Sequence, residues 1–268
     1  MKKLFGLLAA LAFVTSAVHA QDWAKARLEK SPRHLEWITI KHGNREVKCW
    51  VAYPESKEKA TAVVIIHEIF GLSDWVRGMA DQLAEAGYIA IAPDFLTGSG
   101  PNGGGTESLG GADGARGKIG SLPPEQITAD LNAAVDYVKK LPACNGKVAV
   151  GGFCWGGTQT FRFVTNNKDK DVKAGFVFYG SGTDKPDELA RIQVPVYGFY
   201  GGNDARVNAT IPKSTDLMKT AGKTFEPVVY DGAGHGFMRA GEDPAGSAEN
   251  KKAREDGWKR WKDLLKKL

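Results

Sequence analysis

Gly151-Gly152-Phe153-Cys154-Trp155-Gly156-Gly157 is the most informative stretch of this chain. It follows Lys147-Val148-Ala149-Val150, an apolar run that reads as a buried strand, and precedes Thr158 to Val164, which reads as a helix. Strand, tight turn and helix, with Gly-x-Cys-x-Gly at the turn, is the geometry of a nucleophile elbow. The central residue of such a turn is forced into strained backbone angles, and glycines at 152 and 156 remove side chains that would clash there. One side chain is lifted clear of the sheet, over the positive end of the following helix. A thiol in that place is expected to ionise more easily than a free cysteine. The competing reading is a strand-to-helix turn whose cysteine is merely small and buried.

Working outward, Ala62-Val63-Val64-Ile65-Ile66 is an uninterrupted apolar run, the pattern of a central parallel strand covered on both faces. Residues 34–53 alternate around His42-Gly43-Asn44-Arg45 and predict a hairpin. Asp74 to Ala86 predicts a helix capped by Ser73 or Asp74 and stopped by Gly87. Strands are expected at Tyr88–Ala92, Val172–Tyr179, Val194–Tyr200 and Phe225–Tyr230. Helices are expected from Pro124, over Ile211–Thr220 and over Glu249–Leu268. This alternation implies an α/β fold: one doubly wound, mostly parallel sheet with helices on both faces, in a single domain spanning residues 21–268. Thr97 to Ser121 holds ten glycines and reads as irregular, either a mobile flap over a site or a tolerated surface insertion.

The N-terminus, Met1-Lys2-Lys3, then apolar Leu4 to Val14, then Thr15-Ser16-Ala17-Val18-His19-Ala20, predicts a signal peptide over residues 1–20, cut after Ala20. The product would be secreted or periplasmic. The apolar run is too short for a membrane span. Loss of Lys2 and Lys3 lowers the formal charge from +5 to +3, too mild an excess to argue for nucleic-acid binding. Three cysteines, Cys49, Cys144 and Cys154, leave at least one free thiol in an oxidising compartment. Cys154 is the candidate to stay free, and Cys49 with Cys144 is the bridge that would remain.

A cysteine nucleophile needs a base, and the base needs an orienting partner. Beyond the expected cleavage point there are His34, His42, His67 and His235. His34 and His42 belong to the hairpin, away from the C-terminal strand ends where open α/β sheets bind ligands. His235, in Gly234-His235-Gly236-Phe237, directly follows the last strand. Asp204, in Gly202-Asn203-Asp204, emerges from a strand end between nucleophile and base; Asp231 is the competing acid. The order 154, 204, 235 is that of the α/β-hydrolase fold. The oxyanion hole is expected from the backbone N–H groups of Trp155 and Ile69. His67-Glu68 fails as a zincin motif because position 71 is Gly, so no metal is expected.

Glu68-Ile69-Phe70-Gly71, Gly152-Phe153-Cys154-Trp155-Gly156, Gly202-Asn203-Asp204 and Gly234-His235-Gly236-Phe237 together resemble the dienelactone hydrolase family. The likeness runs from about Ala62 to the final helix, and a cysteine elbow is unusual among α/β-hydrolases, most of which carry serine. The resemblance implies a Cys154–His235–Asp204 triad that opens lactone or carboxylic ester bonds without a cofactor, in a monomer or homodimer. It implies that Glu68 accepts a hydrogen bond from the resting thiol and is displaced by substrate. It also implies that arginines, Arg239 and, by position in the glycine-rich segment, Arg116, receive a substrate carboxylate. A general carboxylesterase or thioesterase, or a non-catalytic binding protein on the same scaffold, are the alternatives.

Overall fold

A computed structural model of the chain describes residues 22–167 and 169–268. The expected signal peptide and its cleavage point lie outside the described residues. The elements in chain order are α1 (Asp22–Glu29), β1 (Leu35–His42), β2 (Arg45–Ala52), β3 (Ala60–Ile66), α2 (Asp74–Glu85), β4 (Ile89–Pro93), α3 (Ala112–Ile119), α4 (Pro124–Val138), β5 (Cys144–Phe153), α5 (Trp155–Asn166), β6 (Val172–Phe178), α6 (Pro186–Leu189), β7 (Val196–Gly201), α7 (Ala205–Asn208), α8 (Ile211–Thr220), β8 (Phe225–Tyr230), α9 (Phe237–Ala240) and α10 (Ala248–Leu265). Eight strands form one sheet in the order β1-β2-β4-β3-β5-β6-β7-β8. The β1–β2 and β2–β4 pairs are antiparallel, and every other pair is parallel.

Side-chain alternation along the strands builds two cores. Ala62, Val64 and Ile66 of β3 face one way, with Val148 and Val150, and pack against Ile127, Leu131, Val135 and Val138 of α4 and Phe161 and Val164 of α5. Val63 and Ile65 face the other way, with Ala90 and Ala149, against Trp75, Val76, Met79 and Leu83 of α2 and Trp261 and Leu265 of α10. All seven residues of β3 are buried, as a strand covered on both faces requires. Each fully buried Val or Ile contributes about 1.5–3 kcal/mol relative to exposure. Five adjacent parallel strands, β3, β5, β6, β7 and β8, therefore end side by side along one C-terminal edge.

Several local expectations are corrected. Residues 97–121 are not an irregular loop. Pro101–Gly103 and Thr106–Leu109 form 3-10 turns, and α3 anchors Ala115 and Ile119 against Leu96. Ser73 is the N-cap of α2, as expected, although its side chain makes no cap hydrogen bond. Helix α1 was not anticipated; it buries Ala24 and is tied down by Arg27 to Glu242 at 3.2 Å. Cys49, Cys144 and Cys154 are all free thiols, so the Cys49–Cys144 bridge is absent. No helix among the described residues is long and apolar enough to cross a membrane.

Candidate active site

Cys154 follows the last residue of β5 and precedes the first residue of α5, with φ 57° and ψ −117°. A non-glycine residue in that region is strained, and the strain is held by packing on both sides. The Cys154 N–H donates to Phe178 O at 3.0 Å, and its carbonyl accepts from Gly157 N at 3.0 Å. A Cβ on Gly156 would lie 2.2 Å from Ile66 O, and one on Gly152 would lie 2.2 Å from Gly156 O. Gly156 is thus required by backbone contact between the turn and the end of β3, and Gly152 by backbone contact within the turn itself. The backbone N–H groups of Trp155 and Ile69 lie close enough to the Cys154 sulfur to favour its ionised form.

His235 lies on the loop after β8 and Asp204 on the loop after β7. His235 Nδ1 is 2.5 Å from Asp204 Oδ2. Asp204 is 6 % exposed, and its Oδ1 accepts from Val207 N at 3.3 Å, so the carboxylate also caps α7. The loop carrying His235 is held by Asn203 N donating to Ala233 O at 2.8 Å and Gly234 N donating to Asn250 Oδ1 at 2.9 Å. Asp231, the competing acid, is exposed in the turn after β8. His34 meets the Tyr53 ring at a tilt, and His42 Nε2 pairs with Asp130 at 2.7 Å, both on the antiparallel side of the sheet.

Glu68 is 1 % exposed at the end of β3, and its Oε2 accepts from Arg239 Nε at 2.8 Å. The resemblance implies that this carboxylate accepts a hydrogen bond from the resting thiol; the partner of its Oε2 here is the half-buried, charged guanidinium of Arg239. Burial pushes the Glu68 carboxyl above the usual carboxylate range, and Arg239 and His235 pull part of the way back. The Cys154 thiol is pushed up, first by burial and then by the Glu68 charge. The Trp155 and Ile69 N–H groups and the Arg206 charge oppose this without reversing it. The expectation of an easily ionised elbow thiol is therefore overturned, because desolvation outweighs the donors at the head of α5.

Two cations lie over the Phe70 ring, Arg239 at 5.2 Å and Arg116 at 5.3 Å from its centroid. Arg116 comes from α3, in the glycine-rich segment, and pairs with Asp113 at 3.8 Å. Two residues near the site escaped sequence reasoning. Tyr179, at the end of β6 with φ 40°, is fully buried and meets the His235 ring edge-on at 5.1 Å. Its signal was available: it ends the strand beside the elbow strand. Arg206 is exposed in the first turn of α7, two residues after Asp204. No group of three His, Cys, Asp or Glu side chains among the described residues is arranged to hold a metal ion.

A Methylorubrum extorquens protein provisionally named carboxymethylenebutenolidase is 32 % identical over 232 residues, covering 82 % of this chain and 76 % of that one. A Saccharolobus solfataricus protein with the same provisional name is 27 % identical over 256 residues, covering 83 % and 95 %. Among solved structures, a Klebsiella pneumoniae protein provisionally titled dienelactone hydrolase superposes with a TM-score of 0.75 at 24 % identity, covering 88 % of this chain and 99 % of that one. A dienelactone hydrolase-like promiscuous phosphotriesterase from metagenomic libraries gives 0.72 at 21 % identity, covering 88 % and 98 %. These two likenesses are of fold. The model of the dienelactone hydrolase family matches residues 47–268, from β2 through α10 and so across every strand end that contributes to the site. This chain belongs to the dienelactone hydrolase family and is a hydrolase.

Proposed function

We propose that this hydrolase cleaves lactone or carboxylic ester bonds through Cys154, His235 and Asp204. The observation that carries the reading is a thiol on a strained turn after β5, with an imidazole braced at 2.5 Å by a carboxylate on the loops after β8 and β7, all at the C-terminal edge of one parallel sheet. In the first half-reaction His235 Nε2 takes the thiol proton as the sulfur attacks the substrate carbonyl. The oxyanion forms against the N–H groups of Trp155 and Ile69, each such donor supplying about 3 kcal/mol. The C–O bond breaks, the alcohol leaves with the proton held by His235, and a thiol ester remains. Water then gives a proton to His235 and its hydroxyl to the acyl carbon, the C–S bond breaks, and His235 returns the proton to the departing sulfur. In a lactone the alcohol and the acid are one product.

Arg239 and Arg116, which both lie over the Phe70 ring, suit a substrate that carries a carboxylate beside the scissile bond. The basic, apolar and small-residue pattern of residues 1–20 supports export to the periplasm or outside the cell. Cys154→Ala is expected to abolish hydrolysis of a p-nitrophenyl ester. Intact protein mixed with substrate should show the acyl mass on the peptide containing Cys154. A Cys154→Ala protein that keeps wild-type hydrolysis would refute the assignment.

A further inference from the structure

The Ile69 N–H, one of the two proposed oxyanion donors, belongs to a five-residue loop, His67 to Gly71, pinned at both ends. At its start the buried His67 donates from Nδ1 to Glu68 O at 2.8 Å, and Gly71 N donates to the same carbonyl at 3.1 Å. At its exit Leu72 N donates 2.9 Å to the hydroxyl of Thr106, a residue of the glycine-rich segment. That hydroxyl donates to Asp94 Oδ1 at 2.8 Å, and Thr106 N donates to Asp94 Oδ2 at 2.8 Å. Leu96 N donates to Asp94 Oδ1 at 3.1 Å. Asp94 and Thr106 are 4 % and 6 % exposed.

The contact is built into the glycine pattern. A Cβ on Gly71, at φ +74°, would lie 2.3 Å from Thr106 Oγ1, and one on Gly105 would lie 2.2 Å from Asp94 Oδ2. Each side of the junction thus gives up a side chain so that the hydroxyl and the carboxylate can reach the backbone. The sheet does not need this tie, since Asp94 follows the end of β4 and Thr106 lies outside every strand.

We propose that Thr106, held by Asp94, is a positioning residue that sets the Ile69 N–H of the oxyanion hole. The glycine-rich segment is then part of the catalytic scaffold and not only a cover. Leu72 is three residues from Ile69, so a loosened Leu72 N–H lets the donor drift, and a displacement of about 1 Å is enough to cost about 10²-fold in rate. The proposal rests on the thiol-ester reading above.

The test compares Thr106→Val, which removes only the hydroxyl, with Thr106→Ser, which keeps it. Thr106→Val is expected to lower kcat on p-nitrophenyl acetate about tenfold to a hundredfold, with KM within about threefold. It is also expected to move the pH midpoint of iodoacetamide alkylation of Cys154 upwards, since the Ile69 N–H favours the thiolate. Thr106→Ser is expected to restore both. A folded Thr106→Val protein with wild-type kcat and alkylation profile overturns the proposal. So does a Thr106→Ser protein that has lost tenfold or more in kcat, a result that decides the matter even where Thr106→Val does not fold. Hydrolysis that survives Cys154→Ala sinks the underlying mechanism instead, whatever the Thr106 variants do.

Discussion

Replacing Asp204 by Asn tests the base and its brace together, and the hydrogen bonds around this residue fix the outcome. The carboxylate accepts from two donors, Val207 N at Oδ1 and His235 Nδ1 at Oδ2. An Asn side chain offers one acceptor and one donor group. With its oxygen towards Val207, its NH2 faces His235 Nδ1 and holds that nitrogen unprotonated. The proton then sits on Nε2, the nitrogen that has to receive the thiol proton. The flipped orientation sets the NH2 against the Val207 N–H and leaves both buried donors unsatisfied, which costs about 1–3 kcal/mol each. The wrong tautomer is therefore favoured, and the imidazolium loses its counter-charge. A fall in kcat of about 10³–10⁴-fold is expected, about 4–5.5 kcal/mol of barrier. The assay is p-nitrophenyl acetate hydrolysis on protein shown by circular dichroism to be folded, with the exposed Asp231→Asn as a control expected to stay within about twofold. A folded Asp204→Asn enzyme retaining more than about a tenth of wild-type kcat would refute the tautomer reasoning.

Three further outcomes follow from contacts in the structure. Glu68→Gln removes a negative charge that pushes the Cys154 thiol up, so the pH midpoint of iodoacetamide alkylation should move down; an unchanged or raised midpoint contradicts this electrostatic role of Glu68. Asp130 is the buried partner of Arg45, at 2.8 Å from its Nε, and of His42 Nε2. Asp130→Ala should cost about 3–5 kcal/mol of stability in a urea titration while kcat per folded molecule is retained. Gly156→Ala drives a Cβ to 2.2 Å from a backbone oxygen and should abolish soluble, active enzyme. Gly117→Ala, with nothing within 4 Å, should fold and should raise the thermal midpoint slightly. Equal behaviour of the two glycine variants would contradict the close approach of elbow and β3.

The parts of the fold readable in sequence are those that a local pattern determines. The run Ala62–Ile66 has the pattern of a doubly covered strand, and the structure buries every residue of β3. Pro212 near the start marked the helix Ile211–Thr220, whose bounds the structure reproduces. The pairing of Asp204 with His235 was legible because strand ends in an alternating α/β chain share one edge, so that residues 31 apart in sequence meet there. What was not legible depends on distant chain. Helix α1, Asp-Trp-Ala-Lys-Ala-Arg-Leu-Glu, has no apolar stripe and is held by α2 and by Glu242. Helix α3 contains Gly114 and Gly117, each about 1 kcal/mol unfavourable in a helix, and forms because Ala115 and Ile119 bury against Leu96. The Glu68–Arg239 pair joins residues 171 apart, and no spacing rule predicts it.

The thiol illustrates how a sound local rule loses to its surroundings. Trp155 N–H and Ile69 N–H do pull the sulfur towards ionisation, as the elbow geometry demands. Burial and the Glu68 carboxylate push harder, and neither was visible from the seven residues of the turn. A site with a neutral resting thiol cannot draw on a standing thiolate, so in the proposed mechanism its proton has to move during attack and His235 becomes indispensable to acylation. Alkylation by a small electrophile and hydrolysis of an ester then answer to different residues. Glu68 governs the first, by setting how much thiolate is present at a given pH, and Asp204 governs the second, by keeping Nε2 free to receive the proton. A site built on a preformed thiolate–imidazolium pair would show the opposite: loss of Asp204 would depress both reactions together.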